Sequence, residues 1–342
     1  MAIRRRRLLS PRWLLVGALI VLAFLALVAF QLNSGAYILL PDRAHPLVGK
    51  VKVPGATPDT GGGGIYYVDV FERRASLLER IWPGLHEGST IVPASEINPP
   101  GISERQRIAS DQHAMALSQQ IATAVAVRAL GYDAKIRGGG VHVDGVYSDS
   151  HASGRLRSGD VVLSVDGTPV ATIPDLRAVV SKKRVGDPVT LRVQRGGRTF
   201  TLTLRLSGDP MQPRRPVIGI LPSPALKVKL PFKVGFDIGN VGGPSAGLAF
   251  ALELLELRGR DVDHGYRVAA TGELEPDGSV VRVGGIEQKT IGARRTHIDV
   301  FLVPVDGGNA AEARRYAHGL KIVPVKSFQQ ALRALATLPP KG

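Results

Sequence analysis

The 342-residue chain has no cysteine, three methionines and only 5% aromatic residues. The missing cysteine excludes a disulfide framework, a cysteine-ligated zinc cluster and a cysteine nucleophile, though it assigns no compartment. So few aromatic rings offer no stacking platform for single-stranded nucleic acid. A formal net charge of +15 would otherwise invite such a partner. Five arginines, Arg4, Arg5, Arg6, Arg7 and Arg12, precede the first long apolar run. Setting those five aside leaves 39 basic against 29 acidic residues, scattered except for short clusters at Lys182–Arg184 and Arg214–Arg215. No nucleic-acid partner is therefore expected. The sequence contains no Gly-x-x-x-x-Gly-Lys-Ser/Thr phosphate loop, and His86-Glu87 lacks the second histidine of a zincin helix. No metal and no cofactor are expected. A hydrophobic fraction of 44% with 21% charge supports real cores, and the length suggests about two domains.

Trp13 to Phe30 runs eighteen residues without a charge, and Gln31 and Leu32 bring it to twenty. At about 1.5 Å per residue this spans the hydrocarbon core of a bilayer. A cytoplasmic basic tail (1–12) and a transmembrane helix (13–32) follow, with the remainder exported by the positive-inside rule. The alternative is a cleaved signal peptide, for which Ser34-Gly35-Ala36 supplies small residues. The apolar run exceeds the usual 7–15 residues of a signal peptide, which favours the anchor.

Strands are expected at Val48–Val53 and Ile65–Val70, separated by Pro58-Asp59-Thr60 and Gly61–Gly64. Beyond Pro99-Pro100-Gly101, Ser103 to Leu130 reads as one amphipathic helix stopped by Gly131. A compact unit over 132–207 contains strands at Val161–Val165, Val189–Val193 and Thr199–Leu206 and a short helix over Asp175–Lys182. Its last two strands are joined by the hairpin signal Arg195-Gly196-Gly197-Arg198. Ser207 to Pro216, with three prolines, reads as a linker.

The run Leu156-Arg157-Ser158-Gly159-Asp160-Val161-Val162-Leu163-Ser164-Val165-Asp166-Gly167-Thr168-Pro169-Val170 resembles the most recognisable stretch of PDZ domains. The resemblance implies a peptide added as a strand beside a helix, its carboxylate held by backbone amides. Gly138-Gly139-Gly140-Val141 is the expected carboxylate loop, although it departs from the usual alternation of glycine and large apolar residues.

Gly239-Asn240-Val241-Gly242-Gly243-Pro244 superficially resembles the Gly-Asp-Ser-Gly-Gly-Pro run of chymotrypsin-like proteases, but Val241 stands where the serine should be. Three residues later, Gly243-Pro244-Ser245-Ala246-Gly247 opens a helix of apolar periodicity, with Leu248, Phe250, Leu252 and Leu254. A serine at such a helix start meets outward-pointing amides and a dipole that favours negative charge. Thr271-Gly272-Glu273-Leu274 follows, and then Gly284-Gly285-Ile286-Glu287-Gln288-Lys289. Together these motifs resemble the proteolytic domain of Lon, a serine protease family with a Ser–Lys dyad. The resemblance implies Ser245 as nucleophile, Lys289 as base and Thr271 as the supporting hydroxyl. Gly242 replaces the acidic residue usual before Gly-Pro-Ser, and Glu287 replaces a second lysine. Because lysine accepts a proton only when neutral, the base requires a pKa well below 10.4.

The whole pattern resembles bacterial membrane-anchored, PDZ-containing Lon-like proteases. The implied fold class is α+β: a transmembrane helix, a β-rich PDZ-like domain and a Lon-type α/β proteolytic domain. Residues 217–340 are short for a complete proteolytic domain. Residues 45–131 are therefore expected to supply its N-terminal part, with 132–207 inserted as the PDZ domain and 208–216 as linker. The implied partners are flexible protein or peptide substrates and the membrane, and by analogy with Lon rings a second copy of the chain. The competing expectation is a non-catalytic PDZ scaffold carrying an inactive Lon-like domain.

Overall fold

A computed structural model describes residues 11–56, 62–339 and 341. Arg4 to Arg7, Pro58-Asp59-Thr60 and Gly61 lie outside the described residues. In chain order, α1 (Pro11–Gln31) is followed by β1 (Asn33–Pro41), β2 (Gly64–Tyr67), β3 (Val70–Ser76), α2 (Leu77–Ile81), β4 (Thr90–Pro93), α3 (Ala94–Ile97) and α4 (Glu104–Ala129). Next come β5 (Lys135–Val146), β6 (Val161–Val165), α5 (Ile173–Val180), β7 (Pro188–Arg195), β8 (Arg198–Arg205) and β9 (Ile220–Lys229). The C-terminal part contains α6 (Gly247–Glu256), β10 (Arg267–Ala270), α7 (Ile286–Arg295), β11 (Val300–Pro304), α8 (Asn309–Tyr316), β12 (Lys321–Val325) and α9 (Phe328–Ala336).

The chain forms two compact units, the first running up to Leu40 and including Phe71–Ile97. In it, α1 carries an apolar stretch, Arg12–Gln31, long enough to cross a membrane. Strands pair in the order β3-β1-β4, and Ala36, Ile38 and Ala75 form a small core with Leu40 and Ile91.

The second unit, Pro41–Val70 with the residues from Asn98 onward, is built on two sheets. One has the order His45–Pro46, β2, β10, β11, β12. Its four longer strands are parallel, with Ile65 opposite Val268 and Ala270 opposite Leu302. Apolar residues on both faces of β10 and β11 bury the sheet twice, as parallel sheets require. Val268, Ala270, Val300 and Leu302 enter the core shared with α4, α6 and α9, whereas Ala269, Phe301 and Val303 face Ile286, Ala293 and Ala313 of α7 and α8. The first core draws Leu47, Ile65 and Tyr67, then Met115, Ala122 and Val125 of α4, and then Leu248 to Leu255. Its members thus come from both sides of the stretch expected to be a PDZ domain. Helix α6 is buried from Gly247 to Leu255, apolar throughout that span except Glu253, the signature of a helix at the centre of a domain.

The other sheet runs β8-β7-β6-β5-β9, with Thr168–Pro169 beside β6. Its core contains Val141, Val143, Val162, Leu191 and Leu206. Strand β9 pairs with β5 from Ile220 opposite Val146 to Lys229 opposite Lys135, so the sheet extends beyond residue 207. Ser207–Pro216 is therefore not an open linker. Ser207-Gly208 pairs antiparallel with Pro216-Val217, and Asp209 closes the turn by accepting from the amides of Met211 and Gln212 and from Arg215. The prolines that suggested a linker shape a tight return.

Helix α4 starts at a capping box, in which Ser103 accepts from the Gln106 amide and Gln106 answers to the Ser103 backbone. Of the expected strand Val48–Val53 only Val51–Lys52 is extended, because a turn from Leu47 to Lys50 bends the chain before it.

Candidate active site

Ser245 lies in the turn two residues before the first residue of α6, with Ala246 at the N-cap position. Helix α4 grips this turn from outside. The Gly243 amide donates to the carbonyl of Asp111 (2.9 Å), and the Ser118 hydroxyl donates to that of Pro244 (2.9 Å). A Cβ at Gly242 would stand 2.9 Å from the Cβ of Asp111, so the acidic side chain usual at that place would have to push α4 away.

Thr271 follows β10 and is fully buried, its amide donating to Leu302 on β11. Its hydroxyl donates to the Ser245 carbonyl (3.3 Å), and the Gly272 amide donates to the same oxygen (2.8 Å). Lys289, in the first turns of α7, reaches both hydroxyls. Its Nζ donates to Ser245 Oγ at 2.9 Å and to Thr271 Oγ1 at 3.2 Å. Lys289 is only 4% exposed. Burial, which disfavours the ammonium, lowers its pKa from 10.5 to about 8, opposed by the carboxylate of Asp69.

Residues 42–45 and 67–69 supply the surroundings of this lysine. A Cβ at Gly292 would fall 1.8 Å from the Asp42 carbonyl, so only glycine lets α7 lie on this segment. The Thr296 hydroxyl accepts the Ala44 amide at 2.9 Å. His45 Nε2 then sits 3.3 Å from Asp42 and 3.4 Å from Asp69, with its ring stacked on Tyr67. Burial holds the Asp69 carboxyl above its ordinary range, countered by His45 and, more weakly, by Lys289.

The structure therefore brings Ser245, Lys289 and Thr271 together, and it adds Ser118, Asp111 and Asp69, which sequence reasoning missed. Ser118 left a trace: it is a serine on the buried side of α4, near Met115 and Ala122.

Gly138-Gly139-Gly140-Val141 forms no loop. These residues lie within β5, where Val141 opposes Pro224 and Gly138 opposes Leu226. A Cβ at Gly138 would meet the Ala171 carbonyl at 2.4 Å, so this glycine lets β5 lie close to the segment before α5. A groove of about 680 Å³ opens elsewhere, between α5 and the start of β9, where Ile173, Leu176, Val180, Ile218 and Ile220 give it an apolar lining. Val217-Ile218-Gly219-Ile220 has the alternation of large apolar residue and glycine that residues 138–141 lack, and Gly219 takes a left-handed φ of +90°.

Among the described residues, three side-chain clusters could hold a cation by proximity alone: His113, His142 and Asp144; Asp42, His45 and Asp69; and Glu256, Asp261 and Asp263. In the first, the imidazoles stack with centroids 3.9 Å and planes 14° apart. The in-plane lone pairs of parallel rings do not converge on one ion. In the third, Glu256 already accepts the amides of Val262 and Asp263.

Residues 128–206 match the PDZ domain family, and residues 238–337 match the Lon protease (S16) C-terminal proteolytic domain. The mitochondrial Lon protease homolog of Drosophila melanogaster is 43% identical over 65 residues, 19% of this chain and 6% of that protein. Lon protease of Mesomycoplasma hyopneumoniae is 32% identical over 91 residues, 26% of this chain and 10% of that protein. The crystallised PDZ domain of an SdrC-like protein from Listeria innocua is 30% identical with a TM-score of 0.23, covering 24% of this chain and 92% of that one. The matches span no more than 14% of the length of the curated relatives cited here and of the homolog from Phaeodactylum tricornutum. The chain carries a PDZ domain and a Lon-type proteolytic domain.

Proposed function

We propose that the chain is a membrane-anchored serine endopeptidase that cleaves flexible protein segments by a Ser245–Lys289 dyad without ATP. One observation carries this reading: a buried lysine of lowered pKa stands 2.9 Å from the serine hydroxyl. Neutral Lys289 takes the Ser245 proton as Oγ attacks the peptide carbonyl carbon. The amino start of α6 favours the oxyanion that develops. The lysine then returns its proton to the leaving amine, and water releases the acyl group by the same route. Lowering a lysine by about 2.5 units corresponds to roughly 3 kcal/mol of differential interaction, which burial supplies. Thr271 orients the amine and holds the backbone of the nucleophile.

The two remaining parts fit this role. The core shared by residues 47–53 and 65–67, α4 and α6 supports a proteolytic domain interrupted by the PDZ sheet. The groove beside α5 is a peptide site that delivers unfolded chain, with Val217–Ile220 in place of Gly138–Val141 as its carboxylate loop. Helix α1 anchors the protein, its basic tail remaining cytoplasmic. No phosphate loop occurs in the sequence, so substrates enter already unfolded.

The test is casein cleavage by the full chain in detergent, without nucleotide, beside Ser245→Ala and Lys289→Ala. Cleavage by the wild type and its loss in both variants supports the dyad. Equal inactivity of all three, with peptide still bound, supports the scaffold instead.

A further inference from the structure

After the capped turn of α2 the chain is uncharged and exposed over five residues, Ile81-Trp82-Pro83-Gly84-Leu85. Ile81 is 70% and Trp82 66% exposed, comparable to the most exposed side chains of α1, such as Trp13 at 68%, although neither belongs to that helix. The run is held from both sides by one buried carboxylate. Glu79 accepts the amide and hydroxyl of Ser76 (2.9 Å each), Arg73 at 3.0 Å and His86 Nε2 at 2.8 Å. The Arg73 guanidinium keeps this carboxyl far below its ordinary range.

The place of the run is set by α1. The Leu77 amide donates to the carbonyl of Leu32, at the end of the apolar helix, and Arg80 donates to that of Ser34, both at 2.8 Å. Helix α2 packs against α1. Within 12–31, only Ala26 and Ala29 are not exposed. They precede Leu32 by about 9 and 5 Å along the helix axis, so the covered face of α1 lies below its end, within the apolar span.

The geometry points to a membrane foot: Ile81–Leu85 docks into the headgroup–acyl boundary of the leaflet from which α1 emerges. This rests on α1 being a membrane anchor. If α1 spans the bilayer, α2 begins at the rim of its hydrocarbon core, and the interfacial layer there is only about 5–8 Å deep. Tryptophan prefers this depth, with its ring apolar and its N–H wet. The neighbouring Arg74 and Arg80 are exposed, as suits contact with lipid phosphates. A lone helix leaves its domain free to turn about the helix axis. A second contact fixes that rotation, so the foot sets how the first unit stands on the membrane.

Trp13 and Trp82 are the only tryptophans, which makes the test direct. Full-length Trp13→Phe is reconstituted into phospholipid vesicles, with some lipids brominated near the top of the acyl chains. The foot requires a blue-shifted Trp82 emission, quenched by the brominated lipid and shielded from iodide. Emission quenched by iodide and untouched by brominated lipid overturns it. Shielding from both quenchers also overturns it, since another protein surface would then cover the run. The reciprocal Trp82→Phe chain reports Trp13 within α1. Loss of lipid contact there as well identifies the anchor, rather than the foot, as the failed premise.

Discussion

Ser118 of α4 donates its hydroxyl to the carbonyl of Pro244, the residue before the candidate nucleophile, from 126 positions earlier in the chain. The turn that presents Ser245 is thus fastened to a helix outside the region of family similarity at 238–337. Ser118→Ala removes one of the two donors to that carbonyl and leaves the Gly247 amide at 3.3 Å, at a cost of about 0.5–1.5 kcal/mol. Because the bond positions Ser245 rather than substrate, kcat falls while KM changes little. A rise in KM at constant kcat would contradict this role.

The pH profile follows from Lys289. Its pKa of about 8 places the acid limb of kcat/KM near pH 8, with activity rising as the amine loses its proton. Asp69 raises that pKa, so Asp69→Asn moves the limb to lower pH. A limb that stays in place, or moves upward, would remove Asp69 from the electrostatics of the dyad.

The same lysine costs stability. Its folded pKa lies below the 10.5 of the unfolded chain, so the penalty is complete below about pH 8 and is relieved as pH rises from about 8 to 10.5. In that window the unfolded chain holds the proton that the folded protein has released. Lys289→Met, inactive, is expected to be more stable at pH 7 by about 1–3 kcal/mol, reduced by the hydrogen bonds lost to Ser245 and Thr271. Denaturant unfolding at pH 7 and at pH 10 tests this, since the variant should lack the wild-type gain between them.

Two substitutions separate the groove from the glycines of β5. Ala178 is exposed and lines the groove, so Ala178→Trp fills it and abolishes peptide binding with little change in Tm. Gly138→Ala pushes a Cβ against the Ala171 carbonyl and lowers Tm, because backbone rather than a flexible side chain must yield. Peptide titration and thermal melts of both variants decide between the two locations.

Local signals made much of this architecture legible. Ser103 and Gly131 bracket α4 in the sequence, and its observed span of Glu104–Ala129 falls within the expected one. Gly196-Gly197 announced the β7–β8 hairpin, in which Arg195 opposes Arg198. The two motifs carrying Ser245 and Lys289 were recognisable because each has its own glycines. Less legible was whatever depends on distant pairing. Nothing local shows that Ile65 meets Val268, since a parallel partner is chosen by burial across some 200 residues. The return at Ser207–Pro216 was hidden for the opposite reason: its prolines suit a tight turn and an open linker equally. Val217–Ile220 escaped notice because it follows that supposed linker rather than opening the domain.

The pairing of Lys135 with Lys229 has a consequence for how the protein comes into being. During synthesis, α4 emerges long before α6, its partner in the same core. Zipping β5 to β9 brings the two ends of the intervening segment side by side, so that ordering the smaller sheet first spares the later step most of its loop-closure entropy. Until the ribosome has released Lys289, the proposed dyad has no base beside Ser245. On that proposal, a nascent chain is protected from its candidate nucleophile by the order in which its halves are made.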